Sequence, residues 1–352
     1  MAILVIKLKH IGDVLLATPA LRHLKAQLGT EPISMLVRGG TEVALAGNPD
    51  VHDVFSVGSL PQGRRGTRAS WAENWRLFRW LRRGNFRAVI DFSASDRGAI
   101  CGLLTGARQR ITYDNPETGS SFCRRLYSTR LPYGDYAEHQ VVKDLKLAGF
   151  FTGATAKSPR LRYEVTPAAT AWAEKFWSRH APPGTGIRRV VCHPTSRWMF
   201  KCWERHKMAR VVCELVSCHR AHVVITHGAH ESETSMAREI AASAAPARPE
   251  LADGLSFDQL AALLKTADVF LGIDTAPMHL AAAVGTKVVA LFGPSPPERW
   301  RPWCDAYRVL HQPCACQTNR NLTCPKSAVM QCLQAVSEAQ VLAAVREVSG
   351  WQ

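Results

Sequence analysis

Short apolar runs alternate with segments of helical spacing along most of the chain. In the first half, the runs "ILVIKL", "ISMLVR" and "FRAVIDFS" have strand length, and "LATPALRHLKAQLG" repeats its apolar residues at the helical period. In the second half, "RRVVCHP", "AHVVITHG", "DVFLGID" and "KVVALFG" are again separated by helix-like segments. Apolar strands that alternate with helices are typical of parallel sheets covered on both faces. The pattern therefore predicts an α/β protein with doubly wound sheets.

The alternation is interrupted around residues 152–187, by "TGATAKSPRLRYEVTP" and "HAPPGTG". We interpret this interruption as the crossing between two Rossmann-like domains. The predicted boundaries are 1–165 and 186–333, followed by a C-terminal helix within 334–352 that begins after Ser337 and ends at Gly350. Packing of that helix back towards the first domain is one option. Two such domains that face a central cleft would bind ligands beyond the carboxyl ends of their strands.

Composition adds a strongly basic balance to this picture. The 352 residues carry a net charge of +15 and 46% of them are hydrophobic, so both a buried core and a polyanionic partner are expected. No apolar run reaches the roughly 18–20 residues that a membrane span needs. Lys7 and Lys9 cut the first apolar run short, which is not the pattern of a secretory signal. The expectation is an intracellular protein whose 11 cysteines are mostly thiols.

One basic segment, residues 64–87, carries many arginines beside aromatic residues. Trp71, Trp75, Phe78 and Leu81 recur there at helical spacing. Basic amphipathic helices of this kind often lie on anionic membranes, and their arginines can bind the phosphates and acidic sugars of a lipid-linked glycan. The alternative is that the aromatic residues face the domain core and the arginines are solvated. Further arginines extend the basic set in the first half: Arg97, Arg108, Arg110, Arg124 and Arg125.

The first strand runs directly into "KHIGDVLL", a turn in which one glycine is followed by an acid. A dinucleotide-binding turn has three glycines and no carboxylate beside the phosphates, so this turn is of another kind. Gly12 is expected to allow a tight backbone turn. Asp13 then has two interpretations: it caps a helix that starts at Val14, or it points into the cleft as a general base that accepts a hydroxyl proton.

Polar residues also follow the first strand of the second half, in "CHPTSRWMFKCW". Thr195 and Ser196 offer hydroxyl groups and Lys201 offers a cation, and a phosphate group is bound by donors of these two kinds. The alternative is an ordinary polar loop, with Trp198 and Trp203 as packing residues.

The strand "DVFLGID" ends in Asp274 and is followed by the helix-like "TAPMHLAAA". Backbone N–H groups at the start of that helix, near Thr275 and Ala276, form an anion site, and small residues let a phosphate approach closely. His279 is predicted in the same first turn. Asp274 is more suited to orienting Lys201 or the His279 ring than to contacting a phosphate itself. The alternative for His279 is a half-buried histidine without a ligand.

The segments described so far resemble the heptosyltransferases of lipopolysaccharide inner-core synthesis, glycosyltransferase family 9. The resemblance extends over nearly the whole chain, from "ILVIKLKHIGDVLLATPALRHLK" through "GNPDVHDVF" and "AVIDFS". It is densest at "HPTSRWMFKCW" and "VFLGIDTAPMHLAAAVGTKVVALFGPSPPERWRPW". The elements "FKCW" and "RPW" are most similar to the heptosyltransferase III subfamily.

This resemblance implies a GT-B architecture, with the acceptor on the first domain and ADP-heptose on the second. It implies an inverting transfer that requires no metal, with Asp13 as catalytic base and Lys201 as the cation that stabilises the leaving diphosphate. The implied donor-binding residues are Thr195, Ser196, Lys201, Glu231, Asp274, Thr275, Ala276 and His279. In "THGAHESE" the donor-site acid is Glu231 or Glu233. The acceptor-binding candidates are His10, Gly12, Arg97 and Arg124.

The predicted partners are ADP-heptose, a lipid A–core oligosaccharide acceptor and the anionic surface of the inner membrane, on its cytoplasmic face. No nucleic acid is expected. Two alternatives remain at this point: an ADP-heptose-dependent protein O-heptosyltransferase, and a basic nucleotide- or nucleic-acid-binding protein without catalysis. Four late cysteines are candidates for a metal site or for packing thiols, since related enzymes that modify proteins bind iron through cysteines: Cys314, Cys316, Cys324 and Cys332.

Overall fold

A computed structural model describes residues 1–58, 71–115, 117–155, 159–314 and 330–351. The chain divides into two compact units, Met1–Glu164 and Val165–Gln352. Each unit contains one sheet of six strands, and every neighbouring pair in both sheets is parallel. Helices connect the successive strands. The predicted α/β class with doubly wound, Rossmann-like sheets is confirmed.

The first unit follows the order that its hydrophobic pattern predicts. A short 3₁₀ turn, Glu42–Leu45, lies between its second and third strands. Its strands and helices are β1 Ala2–Lys7, α1 Ile11–Leu16, α2 Thr18–Leu28, β2 Ile33–Arg38, β3 Asp53–Val57, α3 Trp71–Arg83, β4 Phe86–Asp91, α4 Asp96–Leu104, β5 Gln109–Asp114, α5 Ser121–Arg124, β6 Thr129–Pro132 and α6 Gln140–Thr152.

The first sheet has the strand order β3-β2-β1-β4-β5-β6. Strand β1 is therefore central, and all six of its residues are buried. The order reverses between β1 and β4, so the connections that follow these two strands leave towards opposite sides of the sheet. That point of reversal is where the turn carrying Asp13 begins.

A buried ion pair anchors the last residue of β1. Lys7 Nζ lies 2.7 Å from Asp144 Oδ2 of α6, and both side chains are 1% exposed. Gln140 Nε2 donates to the other carboxylate oxygen over 2.8 Å. Burial raises the pKa of Asp144 to about 6, although the Lys7 ammonium opposes that rise. The carboxylate thus satisfies the lysine at the base of the Asp13 turn.

Asp144→Asn is expected to destabilise the first unit by about 3–5 kcal/mol, because it leaves the Lys7 charge buried without its counterion. Urea denaturation of the wild-type protein and the variant at neutral pH measures the difference in their free energies of unfolding. Glu31→Gln is the matched control, since Glu31 pairs with Arg87 at the surface and its loss should cost no more than about 1 kcal/mol. Equal effects of the two changes would contradict the role of burial.

The second unit repeats this arrangement. Two 3₁₀ turns, Met199–Lys201 and Ala245–Ala247, lie in its loops. Its strands and helices are α7 Pro167–His180, β7 Arg188–His193, α8 Arg205–His219, β8 Ala221–Thr226, α9 Glu231–Ser243, β9 Glu250–Ala252, α10 Phe257–Lys265, β10 Val269–Ile273, α11 Ala276–Val284, β11 Lys287–Phe292, α12 Pro297–Trp300, β12 Tyr307–His311, α13 Gln331–Gln334 and α14 Glu338–Ser349.

The second sheet has the order β12-β11-β10-β7-β8-β9, which is the order of the first sheet counted from β7. Helix α14 belongs to this unit, where Val341 and Val345 are buried in the core beside β10 and β11. Ser337 is its N-cap and Gly350, with a φ of 77°, ends it, as the sequence predicted. Helix α7 lies inside the interrupted region of the sequence pattern and also belongs to this unit.

Across the described ranges of the chain, no helix combines the length and apolar character needed to cross a membrane.

Candidate functional site

The polar residues of the second unit collect at the carboxyl end of its sheet. Strands β7 and β10 are neighbours at the centre of that sheet, where the strand order reverses. Thr195 and Ser196 follow β7, and Asp274 follows β10. A Cβ on Gly272 would lie only 2.8 Å from the His193 carbonyl oxygen, so the two strand ends approach more closely than another residue would allow. This edge is the usual ligand position of a doubly wound sheet.

An ion pair joins the loops that follow these two strands. Lys201 Nζ lies 2.6 Å from Asp274 Oδ2, and the side chains are 12% and 10% exposed. Burial by itself would raise the pKa of Asp274, but the Lys201 ammonium and the Ser295 hydroxyl outweigh burial and hold that pKa below its usual range. Asp274 therefore stays ionised and holds the lysine in one place, with part of the ammonium still accessible.

The two hydroxyl groups of the β7 loop have different surroundings. Ser196 Oγ accepts a hydrogen bond from the backbone N–H of Trp198 over 3.1 Å. Thr195 is fully buried, and its hydroxyl has no hydrogen-bond partner among the described residues. Buried hydroxyl groups are nearly always paired in folded proteins. A ligand oxygen at this edge would supply the pairing that the Thr195 hydroxyl lacks.

Helix α11 begins at the same edge. Thr275 is its N-cap, with extended backbone, and Ala276 is its first residue. In the first turn, Pro277 has no N–H and the Met278 N–H donates to the Thr275 carbonyl over 3.1 Å. Ala276 is therefore the residue whose N–H and small side chain can meet an anion. His279 lies in the first turns of the helix, is buried, and helps to lower the pKa of Asp274.

The structure separates the two candidate acids of the β8 loop by burial. Glu233 is buried and Glu231 is exposed. A Cβ on Gly228 would lie 2.6 Å from both carboxylate oxygens of Glu233, so the acid rests on a backbone that only glycine leaves open. Burial raises the pKa of Glu233, while His230 and His227 act in the opposite direction. Glu233 is thus the acid that the fold holds in place.

Sequence reasoning overlooked one residue of this edge, Ser295. It follows strand β11 in "LFGPSPPE", is buried, and its hydroxyl helps to lower the pKa of Asp274. Its position directly after a predicted strand was the available signal, since the ends of neighbouring parallel strands meet at one edge of a sheet.

The turn that carries Asp13 differs from both details predicted for it. Helix α1 starts at Ile11, with His10 as N-cap, so Asp13 is the third helical residue and does not cap a helix starting at Val14. Asp13 Oδ2 instead accepts a hydrogen bond from the His10 N–H over 3.1 Å. Gly12 lies inside the helix, is buried, and lacks a positive φ, so the expected tight backbone turn does not explain this glycine. Asp13 itself is half-buried.

The two acceptor-side arginines lie in different surroundings. Arg97 lines a pocket of about 360 Å³ at the carboxyl ends of β2 and β3, together with Arg76 and Glu73. Arg124 is held by its own loop: Nη1 donates to the Gly119 carbonyl over 3.2 Å, and Nε lies 3.4 Å from Asp114. Arg97 is accordingly the better placed of the two to meet a ligand.

The late cysteines are described only in part. Cys316 and Cys324 lie outside the described residues, and Cys314 and Cys332 pack in the core of the second unit. Over the described part of the chain, the group with ligand atoms close enough for a metal is His180, His222 and Glu250. The two imidazole rings are stacked at an interplanar angle of 11°, so their ring planes do not converge on one point.

The class of the protein can be stated from its fold, and its family from a comparison with known proteins. The fold and the site define an α/β protein built from two Rossmann-like units with a polar site at the edge of the second sheet. The model of glycosyltransferase family 9 (heptosyltransferase) matches residues 74–330. The chain belongs to that family and is a glycosyltransferase, as the sequence predicted.

The relatives support the same family. The chain is 28% identical over 296 residues to the "Lipopolysaccharide heptosyltransferase 3" of Escherichia coli, and the aligned residues cover 83% of each chain. Among solved structures it is similar to a family 9 glycosyl transferase from Veillonella parvula, with a TM-score of 0.82, 19% identity and coverage of 100% and 97%. An E. coli heptosyltransferase bound to ADP gives a TM-score of 0.76 at 18% identity, with coverage of 99% and 100%. The predicted resemblance and the GT-B fold class are confirmed.

Proposed function

We propose that this protein transfers heptose from ADP-heptose to a heptose of the lipopolysaccharide inner core, with inversion at the anomeric carbon and Asp13 as general base. The observation that carries the proposal is the edge of the second sheet. There a nearly buried ammonium, a buried hydroxyl without a partner among the described residues, and a helix start follow the ends of two neighbouring strands. Those are the groups that a diphosphate needs.

On the donor side, the chemistry is stabilisation of a leaving group. As the bond between the anomeric carbon and the diphosphate breaks, negative charge grows on the diphosphate oxygens. Lys201, the Thr195 hydroxyl and the Ala276 N–H at the start of α11 meet that charge without reorganising, because Asp274 and the fold already hold them. ADP leaves carrying both bonding electrons.

On the acceptor side, the chemistry is removal of one proton. The acceptor hydroxyl oxygen forms a bond to the anomeric carbon, and its proton passes to a carboxylate oxygen of Asp13. One oxygen of that carboxylate accepts the His10 N–H, which fixes the orientation of the group at the start of α1. A half-buried carboxylate on a rigid turn is suited to this step.

The choice of donor and acceptor is supported by the relatives. The similar E. coli proteins are named lipopolysaccharide heptosyltransferase 3, and one similar solved structure is a heptosyltransferase with ADP-2-deoxy-2-fluoro heptose. The acceptor on this proposal is a lipid-linked core oligosaccharide, and the reaction takes place at the cytoplasmic face of the inner membrane.

The test is transfer by the wild-type protein from ADP-heptose to a truncated core oligosaccharide that ends in heptose. We expect release of ADP that depends on the acceptor, a product heavier by one heptose, and an inverted anomeric configuration by NMR. Transfer to a polypeptide hydroxyl in place of the glycan would show that the acceptor is wrong. Activity with another sugar nucleotide, and none with ADP-heptose, would show that the donor is wrong.

We further propose Glu233, rather than Glu231, as the donor-site acid. Glu233→Gln is expected to raise the KM for ADP-heptose about tenfold or more, since a hydrogen bond to a charged partner contributes about 1.5–3 kcal/mol. Steady-state kinetics and titration with ADP measure the effect. Glu231→Gln is the matched control and should change the KM less than about twofold, because that side chain is exposed. A larger rise in KM for Glu231→Gln than for Glu233→Gln would exclude Glu233 as the donor-site acid.

A further inference from the structure

Helix α3 packs on the first unit through one side only. Leu77 and Leu81 are buried in the core of that unit, and Trp80 packs against the same core. Trp80 Nε1 also donates to Asp53 Oδ2 over 2.7 Å. The core contacts of α3 therefore come from Leu77, Trp80 and Leu81. The alternative that all aromatic residues of this segment face the core is wrong.

The opposite side of α3 exposes large aromatic rings. Trp71 is 94% exposed and Trp75 is 59% exposed. Phe78 follows in the same stripe, since residues spaced by four and three share a helix face. The rings of Trp75 and Phe78 stack with their centroids 5.5 Å apart. Contiguous apolar exposure of this kind usually marks an interaction surface.

Arginines surround these rings. Arg82 continues the stripe, four residues after Phe78, and Arg79 and Arg83 flank it; all three are exposed. We call the six residues Trp71, Trp75, Phe78, Arg79, Arg82 and Arg83 the aromatic–arginine face. Aromatic rings and arginines on one side of an amphipathic helix are the composition of helices that lie in a membrane interface.

A neighbouring helix extends the apolar part of this surface. On α4, Ile100 is 48% exposed and Leu103 is 45% exposed, one turn apart on one side of the helix. Arg82 reaches the end of that helix, because its Nη1 would lie 3.0 Å from a Cβ on Gly106. Helix α4 therefore packs beside α3, and its exposed apolar residues add to the apolar surface of this part of the first unit.

We propose that the aromatic–arginine face docks the first unit on the surface of an anionic phospholipid bilayer. This inference rests on the proposed function to the extent that a lipid-linked acceptor gives the docking its purpose. Charge complementarity selects the occupant: arginines attract anionic headgroups, and indole rings insert between headgroups and acyl chains. A second copy of the same face would bring like charges together, which disfavours self-association through it.

The experiment measures binding of the full chain to vesicles of phosphatidylcholine, with and without phosphatidylglycerol, by co-sedimentation. We expect binding only with the anionic lipid, and quenching of tryptophan fluorescence by lipids brominated in their acyl chains. Arg79→Gln/Arg83→Gln should weaken binding about tenfold or more, since each surface arginine contributes substantially to anionic lipid binding. The matched control is Arg179→Gln/Arg238→Gln, which removes two exposed arginines from the second unit and should change binding less than about twofold.

A second pair of variants tests the rings. Trp75→Ser should weaken binding severalfold and reduce the quenching by brominated lipids. Phe150→Ser is its control, because Phe150 is similarly exposed, at 53%, but lies on α6 and is not part of the aromatic–arginine face. Equal losses in both variants, or binding that ignores lipid charge, would overturn the proposal. Failure to bind vesicles together with tight binding of a single-stranded RNA would assign the face to nucleic acid instead.

Activity separates this proposal from the proposed function. Trp75→Ser and Arg79→Gln/Arg83→Gln should keep normal transfer to a water-soluble core oligosaccharide, and lose it towards acceptor embedded in anionic vesicles. Vesicle binding by an inactive wild-type protein would leave the docking face standing and refute the transfer reaction. Loss of activity on the soluble acceptor in the docking variants would assign these residues to the catalytic site rather than to the membrane.

Discussion

Asp13→Asn is expected to lower kcat by about 10²–10⁴, the usual contribution of a positioned general base. The asparagine keeps a side-chain oxygen that can accept the His10 N–H, so the start of α1 should survive the change. Only the ability to take up a proton is lost. Steady-state transfer from ADP-heptose to a soluble acceptor measures kcat for both proteins.

A purely structural role for Asp13 predicts a different result. In that case Asp13→Asn would shift thermal stability slightly and leave kcat within a few fold of wild type. Titration with ADP and a melting curve serve as controls, and both should be nearly unchanged because the donor residues lie in the second unit. Normal turnover in the variant would refute the assignment of Asp13 as base.

Lys201→Met is expected to lower kcat by about 10²–10³, the cost of removing one preorganised group from developing negative charge. The change also leaves Asp274 nearly buried without its cation, so the diphosphate would then meet an uncompensated carboxylate. Binding of ADP should weaken as well. Single-turnover kinetics and titration with ADP separate the two effects.

The double variant Lys201→Met/Asp274→Asn distinguishes catalysis from folding. Removing both charges together should restore thermal stability towards wild type, since no charge is then left unpaired. Activity should remain low, because nothing replaces the ammonium. Recovery of kcat in the double variant would mean that Lys201 acts only by neutralising Asp274.

Much of the fold could be predicted from the hydrophobic pattern. The apolar strands are sheet strands, and helix α14 lies between Ser337 and Gly350 because capping residues act locally. The local structure of the turn after β1 was harder to predict. An N-cap is one of the two roles that the sequence predicts for Asp13, yet Asp13 is the third helical residue, where a carboxylate accepts a hydrogen bond from the N-cap N–H. Both positions favour an acid, so residue type alone could not separate them.

Contacts between distant residues could not be predicted at all. Lys7 and Asp144 are 137 residues apart, and neither has a sequence signal that names the other. The choice between Glu231 and Glu233 depends on which side of α9 packs over Gly228, which is a tertiary fact. The arginine-rich helix divided its aromatic residues between core and surface, an outcome that periodicity permits but does not locate.

The two sheets share one strand order, yet the segments after their first strands provide different functional groups. An acid follows β1 in the first unit, and a lysine follows β7 in the second. On the proposed assignment, one scaffold has been used twice and specialised by charge, with proton removal in one half and anion binding in the other. Each half has its own core, so mutations that alter the choice of acceptor can accumulate in one without disturbing the donor site of the other. A family built in this way can diversify its glycan products while keeping a single sugar nucleotide.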